Sequence, residues 1–530
     1  MKKNFLILIF LFANKLLSDN LFPIWSSTPW DSGGINPNSV VWSMYEKEID
    51  LDQDGKKEFL CITSWSGTLY NTVYLYENSG GNNFDIIWGY NFYGYSNDYS
   101  NVSVSDLDND GRGEILCLID VIDSTFHGFY VFEWNGTDNG FPSIPSTTWN
   151  LNLENLHESC AIVSDNLDTD IYKEVAVLVQ ESFYKPKTTL MIFSLDALST
   201  FESPVWQIEF IDTTTFLYSG YSISSSDLDK DGKKEIVASG WDSTFHIAIY
   251  ENSGTQNTYS RVNDLQDITS YTDFSNSGMI EANFDNNATN ELYIATYGGS
   301  VFVLTNNGDI SQTTKDNVYL LHQFSDGLGL IGITKGNIDG DSNPNIYVAG
   351  SYHEKIFDFE YIGFDVKTSS SYFHSVSFSD DTLDSITPND DQGYFRPSKI
   401  AVGDFNSNGI SDMVISSSSF ARDKSILSVF EFNPLNVFEN NFPNKFSLKQ
   451  NFPNPFNPKT KIKYEIAKSG FVNLKVFDVL GREIKTLVNE NKNVGTYEID
   501  FDASHLNSGV YFYKLTTNDF SEMKEMILIK

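Results

Sequence analysis

The chain has 530 residues, with 35 Lys and Arg against 71 Asp and Glu, and a formal net charge of −36. That balance excludes a binder of nucleic acid or of anionic membrane surfaces, because polyanions are held by Lys and Arg that neutralise phosphates, and it points to cations as partners. A hydrophobic content of 40%, with 28 Tyr and 41 Phe, excludes a disordered chain and is enough core for two or more globular units.

The first element is an export signal over residues 1–18: Met1, Lys2 and Lys3, an apolar run from Phe5 to Ala13, then small and polar residues near Ser18. The run is too short to span a bilayer, which takes roughly 20 residues, and no later segment reads as a transmembrane helix. The three cysteines, Cys61, Cys117 and Cys160, each lie in an apolar strand-like run (FLCIT, ILCLI, SCAIV). An odd, sparse set of this kind reads as buried small hydrophobes and not as a disulfide framework.

From residue 50 onward a nine-residue pattern, D-x-D-x-D-G-x-x-E, recurs seven times in full or worn form. The copies are DLDQDGKKE from Asp50, DLDNDGRGE from Asp106, NLDTDIYKE from Asn166, DLDKDGKKE from Asp227, NFDNNATNE from Asn283, NIDGDSNPN from Asn337 and DFNSNGISD from Asp404. Such a period means a repeat architecture in which each unit buries its apolar face on its neighbours. A short strand precedes each loop (NVSVSD, YSISSSD, KIAVGD) and another follows it (EILCLI, EIVASG, DMVISS), so the acidic loop joins two strands of a hairpin. A third strand follows, as in VYLYENSG from Val73, FYVFEWNG from Phe129, IAIYENSG from Ile247, SVFVLTNNG from Ser300 and LSVFEFN from Leu427. Several units add a fourth, Trp-bearing piece ending at Trp88, Trp149 or Trp206. Four strands in each of seven units predict a seven-bladed β-propeller over residues 22–437. The seventh unit lacks an outer strand, and FPIW, Phe22 to Trp25, is expected to supply it and close the ring.

Alternating carboxylates at positions 1, 3 and 5 of a tight loop turn oxygens to one centre, and Gly at position 6 permits the turn that brings the carbonyl of position 7 there. Oxygen-only ligation suits calcium, whereas zinc would want His or Cys. An EF-hand would need Glu at position 12 and flanking helices; position 12 of the first loop is Cys61, in β-rich sequence. The fourth side chain here comes at position 9, as Glu58 does in the first loop.

These repeats resemble the FG-GAP/VCBS family, to which the propellers of integrin α chains belong. The resemblance covers about residues 22 to 435 and implies a seven-bladed propeller with Ca²⁺ bound in the first hairpin of several blades. By position it implies the ligands Asp50, Asp52, Asp54 and Glu58 with the carbonyl of Lys56; Asp106, Asp108, Asp110 and Glu114 with that of Arg112; and Asn166, Asp168, Asp170 and Glu174 with that of Tyr172. The fourth copy supplies Asp227, Asp229, Asp231 and Glu235 with the carbonyl of Lys233. The later, worn copies supply Asn283, Asp285, Asn287 and Glu291; Asn337, Asp339 and Asp341; and Asp404, Asn406, Asn408 and Asp412. Ile171, Ala288 and Ser342 stand where Gly is expected, and Asn345 replaces the last carboxylate of the sixth copy. Copies one, two and four carry four carboxylates each, copy three carries three, and copies five, six and seven carry two each. Packing four carboxylates without a cation costs several kcal/mol of repulsion at an effective dielectric near 20, so folding and calcium are expected to be coupled.

Composition changes past residue 440. Residues 446–530 hold 12 Lys and Arg against 10 acidic residues, and their alternating apolar runs with turns at LG, NVG and NSG predict a small immunoglobulin-like β-sandwich of about seven strands. QNFPNPFNP, VFDVLGREI and LNSGVYFYKL resemble the C-terminal sorting domain of the type IX secretion system. That resemblance implies passage to the periplasm by the N-terminal signal, then across the outer membrane of a Gram-negative bacterium to the cell surface or medium, with the secretion machinery as a partner.

The seven histidines (His127, His157, His246, His322, His353, His374, His505) are scattered, and no H-E-x-x-H or G-x-S-x-G occurs. The expected function is therefore a monomeric, non-catalytic binding or adhesion protein, holding a protein or glycan on inter-blade loops. A calcium-dependent polysaccharide lyase or hydrolase with a carboxylate pair across the central channel is the alternative, and a ligand-free matrix component a third reading.

Overall fold

The computed structural model describes residues 21–27, 40–45, 47–64, 70–93, 100–119, 128–151, 158–182, 185–195, 204–213, 219–241, 245–269, 278–324, 329–350, 355–363, 365–379, 396–419, 424–432, 446–466, 470–492, 495–517 and 520–530. The expected signal over 1–18 and the side chain of Cys160 lie outside the described residues. The chain divides into two compact units, Met1–Asn436 and Val437–Lys530. Among the described residues no helix is long and apolar enough to cross a membrane.

Seven four-stranded sheets make up the described part of the first unit. In the first sheet Val40–Met44, Glu58–Ser64, Tyr70–Gly80 and Asn83–Tyr93 pair antiparallel in chain order. Five more sheets repeat this plan, starting at Asn101–Ser105, Glu158–Asp165, Ser219–Ser226, Met279–Ala282 and Leu330–Gly336. The seventh starts at Arg396–Gly403 and continues through Asp412–Ser419 and Lys424–Phe432; its fourth strand is Leu21–Ser26 from the other end of the unit. The first strands of all seven sheets line one central channel.

Burial explains the strand sequences. Second strands such as EILCLI, ELYIA and NIYVAG are buried throughout, because each is covered on both faces by neighbouring sheets, and a strand of that kind reads as an unbroken apolar run. Fourth strands such as Trp206–Asp212 and Tyr259–Leu265 are buried only at their ends. Each core cluster of this unit spans two adjacent sheets. Between the second and third sheets, for example, Leu116, Leu118 and Phe129 meet Val177, Met191 and Phe193. The last sheet packs on the first in the same way, with Ala401, Val414 and Leu427 against Val41, Phe59 and Cys61. The seams run round a closed ring, so the unit is a β-propeller. Trp25, carried by the closing strand, sits edge-on against Phe59, Tyr76 and Phe84 at 5.6–6.4 Å between ring centres. Cys61 and Cys117 are fully buried and unbridged, as their apolar contexts led one to expect.

The second unit is a β-sandwich. Ser447–Leu448, Lys459–Ile466 and Gly495–Asp502 form one sheet, and Glu483–Lys492, Gly470–Phe477, Gly509–Thr516 and Ser521–Leu528 form the other in that spatial order. Lys459–Ile466 alternates exposed and buried positions and turns Ile462, Tyr464 and Ile466 into the core. The Pro-rich opening is locked by polar contacts: the Tyr513 hydroxyl donates to the Lys449 carbonyl and accepts from Asn451 N–H, and Asn451 Nδ2 donates to Pro453 O and Thr460 Oγ1.

At the seam between the fifth and sixth sheets of the propeller, His322 and His374 stack at 4.4 Å beside Phe324, Phe357 and Phe359. Burial, with His322 adding to it, pushes His374 down to about 4. The unfolded chain takes up a proton near pH 6.5 that this folded site refuses, so stability is lost as pH falls below about 6.5. His374→Phe should recover roughly 1 kcal/mol at pH 5 once partial access to water is discounted, and nothing at pH 8. Thermal melts of both proteins across that range at fixed calcium check this.

Candidate metal centres

Each nine-residue loop joins the first and second strands of its sheet, and all seven share a hydrogen-bond skeleton. The oxygen of position 5 accepts from the N–H of position 7: Lys56 to Asp54 at 2.7 Å, Arg112 to Asp110 at 2.8 Å, Tyr172 to Asp170 at 2.8 Å and Lys233 to Asp231 at 2.9 Å. Thr289 to Asn287, Asn343 to Asp341 and Ile410 to Asn408 repeat it at 2.6–2.8 Å. The oxygen of position 3 (Asp52, Asp108, Asp168, Asp229, Asp285, Asp339, Asn406) accepts from the N–H of position 5 at 2.8–3.4 Å. The acidic side chains are thus first the clamps of a tight turn.

Position 4 carries the positive φ that the turn needs, at Gln53, Asn109, Lys230, Asn286, Gly340 and Ser407. Position 6 adds a second where it is Gly, at Gly55, Gly111, Gly232 and Gly409. Ile171, Ala288 and Ser342 do not take it, as expected for residues with a Cβ.

Position 9 opens the second strand and is buried. Glu58, Glu114, Glu174 and Glu235 are 0% exposed, and one oxygen of each accepts from the N–H of position 2 at 2.5–2.7 Å; Glu291 does the same at 3.2 Å. The other oxygen of all five, Oε1, is buried with no hydrogen-bond partner. Asp412 repeats the arrangement, with Oδ2 bonded to Asn406 N–H and Oδ1 bare. The same holds at position 1 for Asp106, Asp227, Asn283 and Asn337, each with a buried, unpartnered Oδ1. Where position 1 is Asn, its amide donates to the carbonyl of position 5 (Asp170, Asn287, Asp341), which fixes Asn166, Asn283 and Asn337 in place.

In copies one, two and four, oxygens of all four acidic side chains lie within 4.8 Å of one another. Burial, with the neighbouring aspartates adding to it, pushes Glu58, Glu114, Glu174 and Glu235 up to about 9, and Glu291 and Asp412 up to about 7. Buried oxygens left bare beside further carboxylates are what a hard cation needs and what a cation-free turn would avoid.

Residues 50–117 match the FG-GAP-like repeat, and residues 450–530 match the secretion system C-terminal sorting domain. The chain carries an FG-GAP-like repeat and a type IX secretion system C-terminal sorting domain. The sorting domain directs it through the type IX secretion system to the cell surface or the extracellular space. No curated protein matches the chain. Among solved structures it is similar to PorZ, an essential bacterial surface component of the type-IX secretion system of Porphyromonas gingivalis, at 12% identity and a TM-score of 0.39, over 95% of this chain and 61% of that one. It is also similar to a Penicillium chrysogenum α-L-arabinanase complexed with arabinobiose (10%, TM-score 0.38, 78% of this chain and 98% of that). A chain of the Chaetomium thermophilum polycomb repressive complex 2 gives 9%, TM-score 0.47, 78% and 97%.

Several residues around the FG-GAP loops were missed in the sequence. Glu77, Glu133, Glu251, Glu360 and Glu431 stand directly across the third strand from position 9. The first four hold the side chain of position 7, Lys56 to Glu77 at 2.6 Å, Arg112 to Glu133 at 2.9 Å, Lys233 to Glu251 at 2.5 Å and Asn343 to Glu360 at 2.7 Å, whereas Glu431 accepts from the amides of Asn406 and Asn408. The signal was present, because an aromatic–Glu pair recurs in the third strand. Two worn copies recruit carboxylates from elsewhere. In copy three, Glu209 of the fourth strand clusters with Asp168 and Glu174. In copy six, Asn345 bonds Asp358, whose Oδ2 is buried and bare, and the Tyr347 hydroxyl takes the position-2 N–H that Glu takes elsewhere.

The loops also clasp the next sheet. Asp52 accepts from Asn139 N–H, Asp168 from Asn257 N–H and Asp229 from Ile310 N–H, all at 2.8–2.9 Å and all in the connection between the third and fourth strands of the following sheet.

In saturating calcium, Asp108→Ala and Asp229→Ala should each cost about 1–3 kcal/mol, more than Asn406→Ala. In chelator the Asp108→Ala penalty should largely vanish, while Asp229→Ala keeps about 1 kcal/mol from the lost Ile310 bond. Equal losses for all three in both conditions would contradict the ranking by charge.

Proposed function

We propose that the propeller is an extracellular calcium-binding protein whose role is non-catalytic recognition or adhesion. The observation that carries the calcium reading is the buried, unpartnered oxygen at position 9, repeated in five Glu copies and at Asp412 and set beside further carboxylates. Oxygen donors alone, on a loop that also offers the position-7 carbonyl, suit Ca²⁺, and no His or Cys stands at a loop position to favour zinc. The ligands in this reading are those the repeat predicts, from Asp50, Asp52, Asp54, Lys56 and Glu58 in the first loop to Asp404, Asn406, Asn408 and Asp412 in the last. Copies three and six are supplemented by Glu209 and Asp358. Calcium adds stability and joins sheets whose loops already reach across the seams, giving a stiff ring fit to present a binding surface outside the cell.

Extracellular calcium modules typically hold their ion at a dissociation constant of about 10⁻⁴ to 10⁻³ M, so 10 mM Ca²⁺ should add roughly 1.4–2.7 kcal/mol per filled site. Calorimetry should show a large fall in Tm on adding EDTA, restored by Ca²⁺ and not by Mg²⁺. An unchanged melt would end the calcium reading. Deleting residues 446–530 should leave a calcium-dependent, β-rich protein that stays in the periplasm of a type IX-competent host. Fractionation of cells expressing the two forms separates them, and normal export of the shortened chain would contradict the division of labour.

A further inference from the structure

The central channel differs in charge from the rest of the propeller. Its cavity of about 490 Å³ is lined by Lys47, Lys173, Lys234, Lys335 and Lys399 against only Asp165 and Glu281 among the described residues, in a chain whose net charge is −36. Asp165 is already engaged, by Lys234 at 2.5 Å and by Ser225 Oγ at 2.8 Å. Lys335, Lys399 and Lys47 belong to three consecutive sheets, the sixth, seventh and first, and form one basic arc of the wall. Two are held against backbone carbonyls: Lys335 Nζ donates to Glu281 O at 2.6 Å and Lys399 Nζ to Ile331 O at 2.7 Å. These bonds fix the position of each ammonium in the wall. Partial desolvation in the channel holds Lys335 below its ordinary range, opposed by Glu281 and reinforced by Lys47, which places the two ammoniums close enough to repel.

The opposite wall, from the second to fourth sheets, carries serines alongside Lys173, Lys234 and Asp165, with Ser164 Oγ bonded to Ser105 Oγ at 2.9 Å. Ser103, Ser105, Ser164, Ser222, Ser224 and Ser226 line the cavity. Ser226 is 2% exposed, and its hydroxyl has no hydrogen-bond partner. A wall of small hydroxyls facing an arc of ammoniums is complementary to a ligand that carries both hydroxyls and an acid group, and the volume lies within the ordinary range for a bound small molecule.

We propose that the channel binds an acidic saccharide, with its carboxylate on the arc of Lys47, Lys335 and Lys399 and its hydroxyls on the serine wall. This rests on the binding-protein reading and names its ligand class and its place. The test uses the full chain at fixed, saturating Ca²⁺ and titrates trigalacturonate, neutral galactotriose and inorganic sulfate by calorimetry. Heat from calcium binding the probe itself is the same for every variant and subtracts out. Trigalacturonate should bind, at least tenfold more weakly to Lys335→Gln, Lys399→Gln or Lys47→Gln and more weakly in 0.5 M NaCl, with unchanged melting of the variants; Lys335→Arg should retain binding. Galactotriose and sulfate should bind at least tenfold more weakly than trigalacturonate. Binding of galactotriose alone, or trigalacturonate binding indifferent to the lysines, overturns the inference and leaves the binding-protein reading standing. Sulfate binding as tight as trigalacturonate, or no binding of any of the three, also overturns it.

Discussion

A carboxylate that opens a buried strand has to be satisfied on both oxygens, and in this propeller the chain satisfies only one. Position 9 is where the acidic loop enters the core, so the debt falls at the junction of turn, strand and inter-sheet seam. The position-2 N–H takes one oxygen and the rest of the loop converges on the other. With this constraint go the aspartates at alternating positions, the left-handed residue at position 4 and the third-strand glutamate that pairs with the position-7 cation. The position-7 cation is shared between that glutamate and the position-5 aspartate of its own loop, as Lys56 is between Glu77 and Asp54 and Lys233 between Glu251 and Asp231.

The same residues that make the site also join the ring. Asp52, Asp168 and Asp229 each serve their own turn with one oxygen and the backbone of the following sheet with the other. In the proposed calcium reading, metal affinity and seam stability are therefore linked quantities, because an ion that ordered one loop would also order the contact to its neighbour. Charge is partitioned along the chain in a related way: the acidic residues concentrate in the repeats, the sorting unit is close to neutral, and five lysines line the channel.

Much of this architecture was legible before any coordinates. Seven acidic loops at a near-constant period fixed the number of sheets, and the unpaired edge of the seventh pointed to Phe22–Trp25, which does close it. What was not legible depends on pairing across strands. Glu77 and its counterparts, Glu209 and Asp358 lie tens of residues from the loops they serve, and only strand register brings them there. Position 4 was passed over because Gln, Asn, Lys and Ser have no single composition signal for positive φ, although Asn tolerates it better than most. The basic arc was invisible for a stronger reason: Lys47, in the first sheet, joins Lys335 and Lys399, in the sixth and seventh, only once the ring is closed.

That closure joins Leu21–Ser26 to Lys424–Phe432, partners some 400 residues apart in sequence, through a bond such as Ser26 Oγ to Ser428 Oγ. A contact of that sequence separation is among the costliest in loop entropy and the last to be repaid during folding. Until it forms, Lys424–Phe432 presents a bare row of backbone donors and acceptors, the template on which a second chain would add. For a protein exported through the type IX secretion system, the latch that completes the ring is also the step at which a folding chain is most exposed to its own copies.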